Sequence, residues 1–228
     1  MKRARPIVAI DGPMGSGKST VARELARALG FVYLNTGAMY RAVAIEFRDA
    51  GIRSSEQAAE EKIAPILRAL EISFNADRVI LNGDDVSAAI GSPEVSDLAS
   101  RFSTIGAVRQ RMREIQRAAG EKGGVVMEGR DIGTAVFPDA EFKFYLDADP
   151  KVRAERRYAE LRASGVKIDR DQVMQQLIER DRRDTVREIA PLKRADDAIV
   201  IDTTNMTIAQ AVNALKERIQ GGFVPQRA

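Results

Sequence analysis

The chain has 228 residues, 44% hydrophobic and 30% charged, with a formal charge of only +3. That suits one α/β core with appended segments and excludes two large domains; the weak charge gives no call for a nucleic-acid partner. Cys and His are absent, which excludes disulfides, thiolate chemistry, Cys/His zinc sites and histidine acid–base catalysis. No apolar run approaches a membrane span and no signal-peptide pattern opens the chain, so a cytoplasmic protein without membrane partners is expected.

In chain order, the apolar run Ile7 to Ile10 predicts a buried strand that stops at Asp11. Gly12-Pro13-Met14-Gly15-Ser16-Gly17-Lys18-Ser19 follows, the G-x-x-x-x-G-K-[ST] pattern of a phosphate-binding loop between strand and helix. Its glycines permit backbone angles and close approach that a Cβ would block. Successive N–H groups can then face a polyphosphate, joined by the positive end of the helix starting near Lys18. In the general motif Lys18 reaches the β and γ phosphates and the Ser19 hydroxyl takes a place on Mg²⁺. With Thr20, residues 12–20 are the expected nucleoside-triphosphate-binding segment.

Val21, Leu25, Ala28 and Leu29 fall at helical spacing, and Gly30 ends that helix. Phe31 to Leu34 reads as a second strand, after which Asn35-Thr36-Gly37 turns into a helix carrying Met39, Tyr40, Val43 and Phe47. Ser54 and Gln57 have capping-box spacing and predict a helix towards Leu70, interrupted or restarted at Pro65. Ile72 to Phe74 and Val79 to Leu81 read as short strands about a turn at Asn75-Ala76-Asp77, with a second turn at Asn82-Gly83, forming an insert outside the main sheet. Ser92-Pro93 opens a helix to about Ser103, and an Arg-rich helix spans Ala107 to Ala119.

Gly124 to Met127 is the third core strand, delivering Glu128-Gly129-Arg130-Asp131 at its end. Phe142 to Leu146 is the fourth, with a helix starting at Asp149-Pro150. Residues 151 to 188 read as two charged helices separated at Ser164-Gly165, the second entered at Asp169 with Gln172. Ala198 to Ile201 is the fifth strand; Thr207 and Gln210 cap a last helix ending at Gly221-Gly222, and the residues to Ala228 read as loosely held. Strands alternating with helices predict a five-stranded parallel sheet covered on both faces, with ligands at the carboxyl ends of the strands.

Three clusters narrow the second substrate. Arg41, in Thr36 to Arg41, lies near a strand end, although a single helix Arg is more simply a solvated one. Gly129-Arg130-Asp131 puts a guanidinium and a carboxylate on the binding edge, where loop charges are more often functional. Arg180, Asp184 and Arg187 stand at i, i+4 and i+7 and are expected on one helical face, where surface pairing worth about 0.3–0.5 kcal/mol per pair is the plainer account.

Taken together, the DGPMGSGKST loop, the TGAMYR start, GRDIGTAVFPDA from Gly129 and ERDRRD continuing to APL at Ala190 to Leu192 resemble bacterial cytidylate kinase, collinearly over nearly the whole chain. The resemblance implies a P-loop NTPase-type fold that transfers the ATP γ-phosphoryl group to CMP or dCMP with Mg²⁺. It implies a core domain (residues 1–35, 106–150 and 189–228), a nucleoside-monophosphate-binding domain with the insert (36–105) and a lid (151–188). Thr36, Arg41, Arg130 and Arg187 would serve the acceptor nucleotide, the three arginines its phosphate. Ser100, Arg109 and Asp131 would read the cytosine edge, and Arg180 with Asp184 would contact ribose and phosphates. Lys18, Arg130, Arg180 and Arg187 would be the catalytic set, with Arg153 and Arg157 as weaker candidates for the ATP phosphates. Some relatives have Gly after the loop lysine, so Ser19 as a metal ligand follows from the general motif alone. Asp11, Glu128 and Asp131 all sit at strand ends, and the acidic partner of the metal stays open among them. An Asn-Lys-x-Asp guanine-reading motif is absent, and a monomer is the default expectation.

Overall fold

The computed structural model describes residues 3–75 and 78–222. The turn expected at Ala76 and Asp77, and the tail after residue 222, lie outside the described residues. The chain divides into two compact units: residues 1–33, 122–186 and 190–228, and residues 34–121 with 187–189.

The first unit is built on strand β1 (Ile7–Asp11), whose five residues are all buried. It pairs in parallel with β6 (Val125–Gly129), Ile7 opposite Val125 and Asp11 opposite Gly129, and on its other side with β7 (Phe142–Asp147), Asp11 opposite Tyr145. β7 in turn pairs in parallel with β8 (Ile199–Asp202). With β2 (Val32–Asn35) the order is β2-β6-β1-β7-β8, a parallel α/β sheet. The chain therefore moves to one side of β1 and later to the other, which makes the carboxyl end of β1 the switch point where such sheets bind ligands.

Helices α1 (Lys18–Leu29) and α8 (Ile208–Gly222) pack together, and Val21, Leu25 and Leu215 bury against Val8, Ile10, Val126, Phe144 and Leu146. Gly30 closes α1 in a left-handed turn. Asp149 caps α6 (Pro150–Ala163) through Lys151 N, and Asp169 caps α7 (Arg170–Val186) by accepting from Gln172 N at 2.7 Å. After Gly129-Arg130-Asp131, residues Ile132–Val136 wind into one π-helical turn that nothing in the residue pattern announced.

The second unit has its own core, in which α2 (Thr36–Asp49) and α4 (Pro93–Phe102) pack together. Met39, Val43, Phe47, Phe102 and Met112 are buried in it, and the Phe47 and Phe102 rings meet edge to face at 5.0 Å. α2 follows β2 directly: instead of a turn, Asn35 caps the helix by accepting from Ala38 N. The expected capping box at Ser54 and Gln57 is not formed. Gln57 accepts from Arg53 N, residues Ser55–Gln57 make only a 3₁₀ turn, and α3 (Glu60–Ala69) starts afresh and runs through Pro65. Pro65 lies in the second turn of α3, where little of the helix precedes it to be disrupted. β3 (Ile72–Asn75) and β4 (Arg78–Leu81) form the insert with an additional short β5 (Asp84–Asp85), as a separate antiparallel sheet. Asn82 and Gly83, both at positive φ, supply the two-residue hairpin turn between β4 and β5. Ser92 caps α4 through Val95 N, and α5 spans Gly106–Gly120.

Candidate active site

The loop between β1 and α1 is held close to its neighbours. A Cβ at Gly12 would lie 2.0 Å from the carbonyl oxygen of Leu146, and one at Gly15 would lie 2.7 Å from that of Arg153; both glycines have positive φ. No other residue fits at either place without moving backbone. Lys18 is buried at the helix start and its Nζ donates to the Pro13 carbonyl at 3.0 Å. Burial, reinforced by the positive charge of Arg130 and opposed by Glu128, pulls the Lys18 ammonium down to about 7. Arg180 and Asp184 also act on it, so the residues foreseen in this unit as phosphate ligands share one electrostatic neighbourhood. The buried Ser16 hydroxyl, in the middle of the loop, has no hydrogen-bond partner among the described residues, as expected of a group kept for a ligand. Pro13, Met14 and Gly17 complete the loop, while Thr20 is exposed on the first turn of α1.

Side-chain geometry sets Glu128 apart from Asp11 among the strand-end acids. Ser19 Oγ donates to Glu128 Oε2 at 2.9 Å, and Tyr33 Oη donates to Glu128 Oε1 at 2.8 Å. Asp11 is engaged elsewhere: its two oxygens accept from Ile132 N and Gly133 N, each at 2.8 Å. Ser19 and Glu128 thus present adjoining hard oxygen ligands, which fits Mg²⁺, an ion that takes one or two protein ligands and completes its shell with water and substrate oxygens. Tyr33 was not foreseen; a tyrosine in an edge strand carries no signal until the strand order brings it beside Glu128.

Arg130 Nε donates to Asp184 Oδ2 at 2.8 Å and its Nη1 donates to the Gly129 carbonyl. Burial works most strongly against the guanidinium's charge, yet Asp184, joined by Glu128 and Asp181, holds Arg130 above its ordinary value. Arg153 is buried beneath the loop, donating from Nε to the Ala148 carbonyl and from Nη1 to the Met14 carbonyl and to Asp181 Oδ2. Arg157 instead pairs with Glu160 one turn along its own helix. The neighbouring Arg156, not foreseen, approaches Gly17 and donates to Thr203 Oγ1 and the Thr203 carbonyl, while Thr203 Oγ1 donates to the Ser16 carbonyl. Helical phase decides this: a one-residue offset is 100° around the helix, and sequence spacing gives only relative phase.

Within the second unit, Thr36 is buried as the first residue of α2, and Arg41 follows one turn later. Ser100 is buried near the end of α4, its hydroxyl without a hydrogen-bond partner among the described residues. Arg109 lies beside that helix end: its Nη1 donates to the Ser103 carbonyl, and Ser103 Oγ donates to the Ser100 carbonyl. The Arg109 guanidinium also stands 5.7 Å from the centre of the Tyr40 ring, a cation–π distance. Ser100 and Arg109, nine residues apart in sequence, are therefore joined through Ser103. α7 ends at Val186, one residue short of Arg187, which groups with the second unit and is buried.

Comparison with known proteins gives the same frame. Residues 8–221 match the family model described as cytidylate kinase. The chain is 48% identical over 224 residues to the cytidylate kinase of Citrifermentans bemidjiense, covering 95% of each. It is 44% identical over 213 residues to that of Thermotoga maritima, covering 93% of this chain and 96% of the other. Among solved structures, the shikimate kinase of Bacteroides thetaiotaomicron superposes with a TM-score of 0.51 at 14% identity, over 94% of this chain and 98% of the other, a likeness of fold alone. A phosphate-binding loop with its lysine among Arg130, Arg180 and Glu128 recurs on many chemistries, but identity of this extent over nearly the whole length does not: the chain belongs to the cytidylate kinase family.

Proposed function

We propose that this protein is a cytidylate kinase that transfers the γ-phosphoryl group of ATP to CMP or dCMP, giving ADP and CDP or dCDP. The observation that carries the reading is the family match over residues 8–221. The buried Lys18 and the partly buried Arg130 and Arg180 supply the positive charge that joining two anions requires. An oxygen of the acceptor phosphate attacks the γ-phosphorus in line; the bond to the ADP oxygen breaks and ADP carries away that electron pair. The attacking oxygen is already anionic, so no general base is needed, in keeping with a chain that has no histidine. Ser19 and Glu128 would hold Mg²⁺, which when bound neutralises charge on the nucleotide's phosphate oxygens. Residues 12–20 with Arg153 bind ATP, and residues 151–188 act as a lid that keeps water from the γ-phosphoryl group.

For the acceptor, Arg41, Arg130 and Arg187 hold the phosphate, Arg180 with Asp184 contacts the ribose and phosphates, and Thr36 also serves this nucleotide. Cytosine offers an N4 amine next to the N3 and O2 acceptors. Asp131 and Ser100 accept from the amine, and Arg109 donates to the ring acceptors. Uracil presents an acceptor where the amine stood and would set an oxygen against the buried Asp131 carboxylate, an acceptor facing an acceptor. Such a mismatch costs about 1–3 kcal/mol, more when charged, or roughly tenfold to several hundredfold in specificity. The test is turnover of ATP-Mg²⁺ with a panel of CMP, dCMP, UMP, AMP and shikimate, following ADP. CMP and dCMP are expected to dominate; a higher kcat/KM for any other acceptor overturns the assignment.

A further inference from the structure

Asp11 is buried, and it is the last residue of β1, immediately before Gly12 of the phosphate-binding loop. Its carboxylate reaches across to the start of the π-helical turn and accepts from two successive backbone amides, Ile132 N and Gly133 N, 121 and 122 residues away. Those amides follow directly on Arg130 and Asp131. A turn of this kind is ordinarily capped by the residue before it, and Asp is among the best residues for the task. Yet Asp131, which occupies that place, gives no side-chain cap. The two amides are satisfied from β1 instead, so satisfying them does not fall to the Asp131 carboxylate. Gly133 lies beside both groups: a Cβ there would meet Asp11 Oδ2 at an ordinary contact distance of 3.5 Å and the flexible Lys143 stem at 3.2 Å.

We propose that Asp11 is a positioning residue, whose two-oxygen grip on Ile132 N and Gly133 N sets Arg130 and Asp131 for the phosphoryl acceptor. This rests on the reading of Arg130 and Asp131 as acceptor ligands. Burial opposes the charge on Asp11 and the two amides favour it, leaving the carboxyl at about 7. The group is thus maintained at a cost that ordinary packing does not require. Because one carboxylate joins the end of the donor-loop strand to the acceptor loop, loosening it displaces the acceptor ligands while the glycine-built loop keeps its own constraints.

The test compares Asp11→Asn, which retains one oxygen but turns an amide donor towards an N–H, with the unaltered protein and with Arg130→Ala. Affinities for CMP and for ADP are measured separately by titration calorimetry, alongside KM for CMP and for ATP and a thermal melt. Asp11→Asn is expected to weaken CMP binding and raise KM for CMP by about tenfold to a hundredfold, with ADP affinity and KM for ATP within about threefold. Equal weakening of both nucleotides, or an unchanged CMP affinity, overturns the proposal. If Asp11→Asn does not fold, Asp11→Glu, which keeps the carboxylate but lengthens its reach by one methylene, must show the same CMP-selective loss. Should Arg130→Ala lose CMP while Asp11→Asn keeps it, the positioning role alone falls. Should Arg130→Ala keep CMP, the acceptor reading falls and this inference with it.

Discussion

Lys18 shows how the site is prepared for an anion. Its ammonium is buried and near Arg130 and Arg180, which together favour losing the proton near neutral pH. A polyphosphate on the loop supplies the opposite charge and returns Lys18 towards its ordinary value. Nucleotide binding at pH 7 to 7.5 is therefore expected to take up a fraction of a proton, seen as a dependence of the calorimetric heat on buffer ionisation enthalpy. The uptake should vanish well below pH 7, where Lys18 is already charged, and in Lys18→Arg; an unchanged uptake in that variant refutes the assignment. The same shift has a stability consequence. The unfolded chain binds the Lys18 proton more tightly between about 7 and the ordinary lysine value of 10.5, so this residue's contribution to stability rises with pH across that window. Arg130 is tied to the buried Asp184 at 2.8 Å. Arg130→Ala should lower kcat/KM for CMP by more than about a hundredfold and, by removing one charged partner of the buried Asp184, cost about 1–3 kcal/mol of stability. A tenfold or smaller kinetic effect counts against its role.

Among the elements, α6 stands in close contact with the phosphate-binding loop. The Arg153 carbonyl and Cβ stand within 2.7 and 3.0 Å of where a Gly15 Cβ would be, at φ +76°. Gly15→Ala must either push α6 away or distort the loop, and ATP affinity is expected to fall by at least about a hundredfold, a close-approach penalty of several kcal/mol. Retained affinity in a fluorescent-nucleotide titration would show that α6 yields freely. The element pattern around this contact was readable because each part carries a local cause: a buried run for β1, glycines for the loop, Asp149-Pro150 for the start of α6. Arg156 and Arg157 were not separable that way, since only the packed helix reveals which of two adjacent arginines faces Thr203. The end of α7 at Val186 was likewise invisible, because Arg187 continues the charge pattern without a helix-stopping residue.

Over the whole molecule, two separate cores stand behind the two compact units, one around Val8, Leu25 and Phe144 and one around Met39, Phe47 and Phe102. Phe47 is fully buried and its ring packs edge to face on Phe102. Phe47→Ala is expected to cost about 3–5 kcal/mol through lost transfer energy and the cavity left behind. Hydrogen exchange should accelerate first in residues 34–121, with β1, β6 and β7 still protected. Uniform acceleration across both units would mean that they unfold as one.

By itself the sequence determined the order of elements, the phosphate-binding loop and the two short segments, Thr36 to Arg41 and Gly129 to Asp131, that carry the family's motifs. Their signals are local in origin: apolar period, glycine spacing and capping residues act over a few positions. Tertiary structure decided which acid meets Ser19, what Asp11 holds, and that Tyr33 and Arg156 join the site. Asp11, Glu128 and Asp131 are equivalent in sequence, each ending a buried strand or following it. Only the placing of β1 beside β6 turns Asp11 towards the amides of Ile132 and Gly133 and leaves Glu128 to face Ser19.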